Sequence, residues 1–121
     1  FMFMEEVDFC WRVRKARYVI ATNTTAVVYH YGGASIEGGS IKGKTYTTNR
    51  NRIYWRERHT LNMLIKNYCL HNLLKYIPLY FLVNLAEVSF FLLVGKPFVS
   101  LLYFKSWAWN IKNLPKKYFN P

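Results

Sequence analysis

Residues 77–95, Ile-Pro-Leu-Tyr-Phe-Leu-Val-Asn-Leu-Ala-Glu-Val-Ser-Phe-Phe-Leu-Leu-Val-Gly, restrict this chain more than any other stretch, because they are almost long enough to cross a bilayer. Asn84 and Glu87 interrupt the run near its middle, where an acidic side chain costs roughly 2.5–3.5 kcal/mol to insert. Lys75 and Lys96 flank it, and Tyr76 and Tyr80 sit at one end, as in segments that lie at a membrane interface. Lys96-Pro97 breaks the pattern, and residues 98–113 form a second apolar helix carrying Trp107 and Trp109, with Lys112, Lys116 and Lys117 beyond them. The spacing predicts a helical hairpin lying in, or dipping into, the headgroup region rather than a true span. A soluble helical cap with a buried apolar seam is the competing reading.

Charge strengthens the membrane reading. The net charge of +11 lies entirely in residues 42–121, where thirteen Lys and Arg face only Glu57 and Glu87; residues 1–41 balance four bases with four acids. A basic, aromatic-rich half calls for an anionic partner: lipid headgroups, a nucleotide phosphate or a nucleic acid. No nucleic-acid recognition motif is present, and the apolar tail argues against that class. Cys10 and Cys69 are too few and too far apart for a disulfide framework and read as free thiols in a reducing compartment. No signal peptide is visible in the opening Phe-Met-Phe-Met; the start in mid-pattern reads as that of a truncated reading frame.

The N-terminal third carries the denser chemistry. Residues 4–16 read as a helix: Val7, Cys10, Trp11 and Arg14 share a face, and Glu5, Glu6 and Asp8 crowd the first turn, where the helix dipole favours negative charge. Asp8 and Arg12 are spaced to pair. Acids at a helix start are also ordinary caps. Residues 18–22 and 26–31 are β-branched and aromatic and read as two strands; Gly32, Gly33, Gly38 and Gly39 then bracket a loop without a phosphate-binding fingerprint. His30 ends the second strand, a place equally suited to a hydrogen-bonded structural histidine. From about Thr45 to Tyr68 the spacing is helical, and Arg50, Arg52, Arg56 and Arg58 make that segment basic, as a solvated face or as a phosphate or headgroup contact.

Taken together, Met4-Glu5-Glu6-Val7-Asp8-Phe9-Cys10-Trp11-Arg12-Val13-Arg14, then Ala26-Val27-Val28-Tyr29-His30 and Gly33-Ala34-Ser35, resemble the C-terminal half of a family 2 glycosyltransferase of the bacterial rhamnosyltransferase-like branch, which builds surface polysaccharides. Tyr46, Arg50-Asn51-Arg52 and Lys66-Asn67-Tyr68 resemble that family's arginine-rich helix and its end. The resemblance implies an α/β fold: residues 1–41 as the C-terminal part of a GT-A (Rossmann-like) catalytic domain, residues 42–72 as a basic helix, and residues 73–121 as a membrane-associated helical tail. It implies inverting transfer of a sugar such as rhamnose from a nucleotide-sugar donor to a glycan or lipid-linked acceptor, on the cytoplasmic face of the cell membrane, which residues 73–117 would contact.

That chemistry needs a carboxylate to take the acceptor hydroxyl proton and positive charge on the departing diphosphate. The resemblance assigns the base to Glu6, with Glu5 and Asp8 as sharers of the role. It assigns diphosphate and donor contacts to His30, Arg50, Arg52, Trp11 and Arg12, and makes His30 the one metal candidate. The Mg or Mn ion of such enzymes would be held mainly by an N-terminal half that these residues do not include, so the chain alone is expected to be inactive. The sequence departs from the pattern at Glu6, more often aspartate in the family, and at Arg17, where the family has glycine. A basic membrane-interface or scaffolding protein without catalysis is the alternative; it leaves the acidic helix and the His30 loop unexplained.

Overall fold

The computed structural model describes residues 3–29, 40–42, 45–47 and 49–118. It is built from helices: α1 (Glu5–Lys15), α2 (Arg50–Asn67), α3 (Leu70–Leu93) and α4 (Pro97–Tyr118). Between α1 and α2 lies one antiparallel ribbon, β1 (Ser40–Lys42) and β2 (Thr45–Thr47), paired Ser40 to Thr47, Ile41 to Tyr46 and Lys42 to Thr45. The expected α/β, Rossmann-like GT-A architecture is therefore wrong for this chain: among the described residues the fold is all-α, and a six-residue ribbon is its only sheet.

The strands expected at 18–22 and 26–31 are the specific error. Residues 18–29 belong to no ladder, and residues 30 and 31 lie outside the described residues. Tyr18, Val19, Val27, Val28 and Tyr29 are all largely exposed. A β-branched run stabilises a strand only through cross-strand neighbours and a buried face, and among the described residues no strand pairs with it. Locally the chain turns instead, with the Asn23 side chain accepting from the Thr25 N–H (3.0 Å) and hydroxyl (2.8 Å).

Helices need no distant partner to satisfy their backbones, and their ends follow local rules. The expected helix at 4–16 appears as α1. It closes in a Schellman turn, Tyr18 N–H donating to the Val13 carbonyl and Arg17 N–H to that of Arg14, with Arg17 in the left-handed region at φ 65°. The basic helix expected from Thr45 begins at Arg50, since Thr45–Thr47 pair as β2; the Asn49 side chain caps it by accepting from the Asn51 N–H at 2.8 Å. The hairpin forms as expected and starts earlier, at Leu70, running through Pro78. It turns at Gly95, φ +73°, where Gly95 N–H reaches Leu92 and Lys96 N–H reaches Phe91, and Pro97 opens α4 at the position that best tolerates a missing N–H.

Three helices make the core. Ile53 of α2, Val88 and Phe91 of α3, and Val99 and Tyr103 of α4 form the buried cluster. α3 runs antiparallel to both neighbours: Glu87 and Phe81 meet Tyr103 and Trp107 of α4, while Tyr80 and Glu87 meet Glu57 and Arg56 of α2. A polar cluster crosses this interface. Glu57, 4% exposed, accepts from Arg56 Nε (2.6 Å) and from the Tyr80 hydroxyl (3.1 Å); Arg56 also donates to Tyr103 (3.1 Å) and reaches Glu87 at 3.5 Å. Burial pushes the Glu57 carboxyl above its ordinary range, against the pull of the Arg56 charge and the Tyr80 hydrogen bond. α1 lies apart from this core and docks on the C-terminal half of α2.

Candidate functional site

Asp8 is the bolt that fixes α1. Its Oδ1 accepts from Asn67 Nδ2 (2.8 Å), and its Oδ2 meets Lys66 Nζ (3.1 Å) and Arg12 Nε (3.0 Å). Burial alone would raise the Asp8 pKa, but the hydrogen bonds from Asn67 and Lys66 and the charges of Lys66 and Arg12 outweigh it and hold the carboxyl below its usual range. Trp11 packs on Tyr68, ring centroids 4.7 Å apart, and Arg52 lies 5.3 Å over the Phe3 ring. A helix so anchored faces α2 and one residue of α4 across a half-open cavity of about 440 Å³.

The α2 wall is built by helical spacing. Trp55, Arg58, His59, Asn62, Met63 and Lys66 recur at intervals of three and four, which puts them on one face. Phe3 and Met4, just ahead of α1, and Glu5 and Asp8 of α1 form the opposite wall, and Trp109 of α4 closes one side. Arg58 is clasped by aromatics, its Cζ 3.4 Å from the Trp109 centroid and 4.6 Å from that of Trp55. Three polar atoms of these lining residues are buried, out of reach of solvent and without a hydrogen-bond partner among the described residues: Glu5 Oε2, Arg58 Nε and Asn62 Oδ1. Such groups are rare in folded chains because each forfeits its hydration.

The structure divides the predicted site residues between several places. Glu5 and Asp8 line the cavity, Asp8 with its oxygens already engaged. Glu6 is exposed and lines a wider hollow of about 740 Å³ on the other face of α1, together with Val7, Cys10, Trp11, Arg14, Lys15 and Ile20. Arg12 is spent on Asp8. Arg50 and Arg52 do not join either cavity: Arg50 lies 4.8 Å over the Phe98 ring and Arg52 over Phe3. His30 lies outside the described residues, and with it the metal assignment. Among the described residues no three His, Cys, Asp or Glu gather as a metal site.

Sequence reasoning missed Trp55, His59, Asn62 and Met63. The available signal was their spacing on one face of a basic helix; what was missing was α1, which meets that face from more than fifty residues away. Elsewhere, α3 presents a largely apolar surface. Leu70, Leu74, Leu79, Leu82, Val83, Leu85, Phe90, Leu92 and Leu93 are all more than half exposed, and α3 is the one helix among the described residues long and apolar enough to cross a membrane. No family model, curated protein or solved structure matches the chain.

Proposed function

We propose that the chain is the acceptor-side, membrane-seated portion of a family 2-type glycosyltransferase, which moves a sugar from a nucleotide-sugar donor to a glycan or lipid-linked acceptor at the cytoplasmic face of the membrane. The observation that carries this reading is the cavity in which a carboxylate of the acidic helix, Glu5, meets cationic and aromatic side chains of the arginine-rich helix. Proton removal from an acceptor hydroxyl needs an ionised carboxylate within hydrogen-bonding reach, at the edge of a site sheltered from water. Arg58 and Lys66 supply positive charge on the same walls, suited to a departing diphosphate. The donor and metal contacts of such an enzyme belong to residues beyond these.

Two carboxylates compete for the role of base: Glu6, by its place in the motif, and Glu5, by its place in the cavity. The test is transfer by the full reading frame that encodes these residues, measured in membranes with radiolabelled nucleotide-sugars, for wild type, Glu5→Gln and Glu6→Gln. A general base contributes roughly 10²–10⁴-fold, so one variant is expected to lose at least a hundredfold in kcat while donor binding persists. Absence of transfer by the wild type, or full turnover by both variants, refutes the proposal.

A second reading, a membrane-interface module without catalysis, is favoured by the exposed apolar face of α3 beside a strongly basic α2. It expects tight vesicle binding and no transfer under any condition.

A further inference from the structure

The two sides of the α1–α2 cavity differ in charge and in how firmly they are held. Glu5 and Asp8 stand on the α1 side, Arg58 and Lys66 on the α2 side. α2 belongs to the three-helix core through Ile53 and the buried Glu57, whereas α1 has no buried residue. Every residue from Ala16 to Tyr29, the stretch that leaves α1, is exposed. Among the described residues α1 is held by the Asp8 contacts with Lys66 and Asn67, by the Trp11–Tyr68 ring pair and by Arg52 over Phe3. Lys66 keeps 48% of its side chain exposed, so its pair with Asp8 is of the solvent-screened kind that contributes little. Segments held in this way open without unfolding the rest.

Lys66 cannot serve Asp8 and a bound anion independently. A phosphate oxygen hydrogen-bonded to Lys66 Nζ, itself 3.1 Å from Asp8 Oδ2, would lie no more than about 6 Å from that carboxylate. Like charges at that range repel, and Glu5 adds a second carboxylate on the same side. An anion is thus drawn to the α2 side and pushes on the α1 side, and of the two only α1 moves without breaking the core. Asp8 is not left bare when it goes, because Arg12 of its own helix stays with it at 3.0 Å. We propose that α1 is a lid, and that a diphosphate-class anion lifts it by taking Lys66 from Asp8. As a device for releasing the departing diphosphate this rests on the transferase reading of the cavity; as competition between an anion and the lid for one lysine it does not.

The experiment measures amide hydrogen exchange of α1 by mass spectrometry, for the chain in mild non-ionic detergent with sodium pyrophosphate, or with sodium chloride at the same ionic strength. Pyrophosphate binding is followed in parallel by phosphorus NMR. Pyrophosphate is expected to bind saturably and, at saturation, to speed α1 exchange roughly fivefold, with α2, α3 and α4 unchanged and chloride without that effect. Linkage makes the factor reciprocal: Asp8→Asn, which unbolts α1 in advance, should bind pyrophosphate roughly fivefold more tightly than wild type, with helicity retained by circular dichroism. Lys66→Gln should exchange fast over α1 without any anion, and pyrophosphate should no longer change that rate. Unchanged α1 exchange with pyrophosphate bound, an equal effect of chloride, no saturable binding by the folded chain, or an Asp8→Asn variant that binds no tighter than wild type overturns the proposal. Lifting of α1 by pyrophosphate in a chain whose full reading frame transfers no sugar sinks the transferase reading alone; transfer by the reading frame while pyrophosphate leaves α1 closed sinks the lid alone.

Discussion

Replacing Arg56 by methionine isolates the device that holds the hairpin on α2. Glu57 lies between the helices with its side chain 5% exposed, and two donors compensate its charge: Arg56 Nε at 2.6 Å and the Tyr80 hydroxyl at 3.1 Å. Breaking a buried ion pair from one side costs about 3–5 kcal/mol, because the remaining charge stays buried without its partner. Arg56 itself is 36% exposed, so water screens part of the interaction, and the low end, about 3 kcal/mol, is the appropriate figure. Against a total stability of about 5–15 kcal/mol that is a large share. Sign follows from linkage. The Glu57 pKa in the fold stands above its ordinary 4.5, so the group's contribution is complete below that value and is lost as pH rises through the folded pKa. Without Arg56 the folded value climbs further, and the penalty at neutral pH grows while that at acid pH does not. Thermal melts by circular dichroism in detergent micelles, at about pH 7.5 and about pH 4, should show Arg56→Met strongly destabilised at the higher pH and much closer to wild type at the lower. The double variant Arg56→Met/Glu57→Gln, which removes the charge as well, should recover most of the loss at neutral pH. A loss below about 1 kcal/mol, equal at both pH values, would mean that Glu57 is not buried as a charge and would refute the reasoning.

The two left-handed helix ends make a matched pair of predictions. At Gly95 a Cβ would meet nothing within 4 Å, so Gly95→Ala should cost only the backbone strain, about 1 kcal/mol; Arg17 already bears that strain, and Arg17→Gly should gain a similar amount less the entropy of a freer unfolded chain. Both are read as shifts in melting temperature, and an Arg17→Gly that destabilises would show that the arginine side chain holds α1 in some other way. For the proposed interface, Leu82→Glu and Leu93→Glu, at 65% and 88% exposure, should each weaken binding to phosphatidylglycerol-containing vesicles roughly tenfold in a sedimentation assay, with secondary structure unchanged. Unaltered binding by both would remove α3 from the contact.

What could be read from the sequence was what neighbouring residues decide among themselves. The acids of α1, the break at Lys96-Pro97 and the basic helix are local patterns, and a helix satisfies its backbone within its own segment. The strands at 18–22 and 26–31 were not of this kind. Val19, Val27 and Val28 suit a sheet, but a sheet is a relation between segments, and the described chain supplies no partner. The cavity failed to show for the same reason. It depends on Asp8 meeting Lys66 and Asn67 across fifty-eight and fifty-nine positions, and although both sides drew notice, nothing in either points to the other. Glu6 drew attention by its place in a motif, whereas Glu5, one residue earlier, is the one the helix turns toward the cavity.

The same reasoning bears on the membrane contact proposed for α3. Asn84 and Glu87 argued against insertion as an amide and a charge in an apolar run; Asn84 is turned inward, 4% exposed and donating to the Tyr80 carbonyl, whereas Glu87 pairs with Tyr103 and Arg56 while 42% of its side chain stays exposed. With Tyr80 they form a polar seam at i, i+4 and i+7, while the leucines and Phe90 face out, so the polar cost of α3 toward lipid falls mainly on the half-exposed Glu87. The objection to a span lies in its company. α2 is packed along the inward face and carries Arg50, Arg52, Arg56, Glu57, Arg58 and Lys66; α4 adds Lys105 and Lys112. Drawing α3 across a bilayer in this arrangement would take those side chains to hydrocarbon depth at roughly 2.5–3.5 kcal/mol for each charge left unpaired. Laid flat, the same unit puts the α3 leucines among acyl chains and leaves the cations of α2 and α4 near anionic headgroups, where each contributes about 1 kcal/mol instead of costing several. For the membrane contact proposed above, the packing of the three helices therefore favours lying on the surface, since a span would require α3 to leave Glu57 and Tyr103 behind.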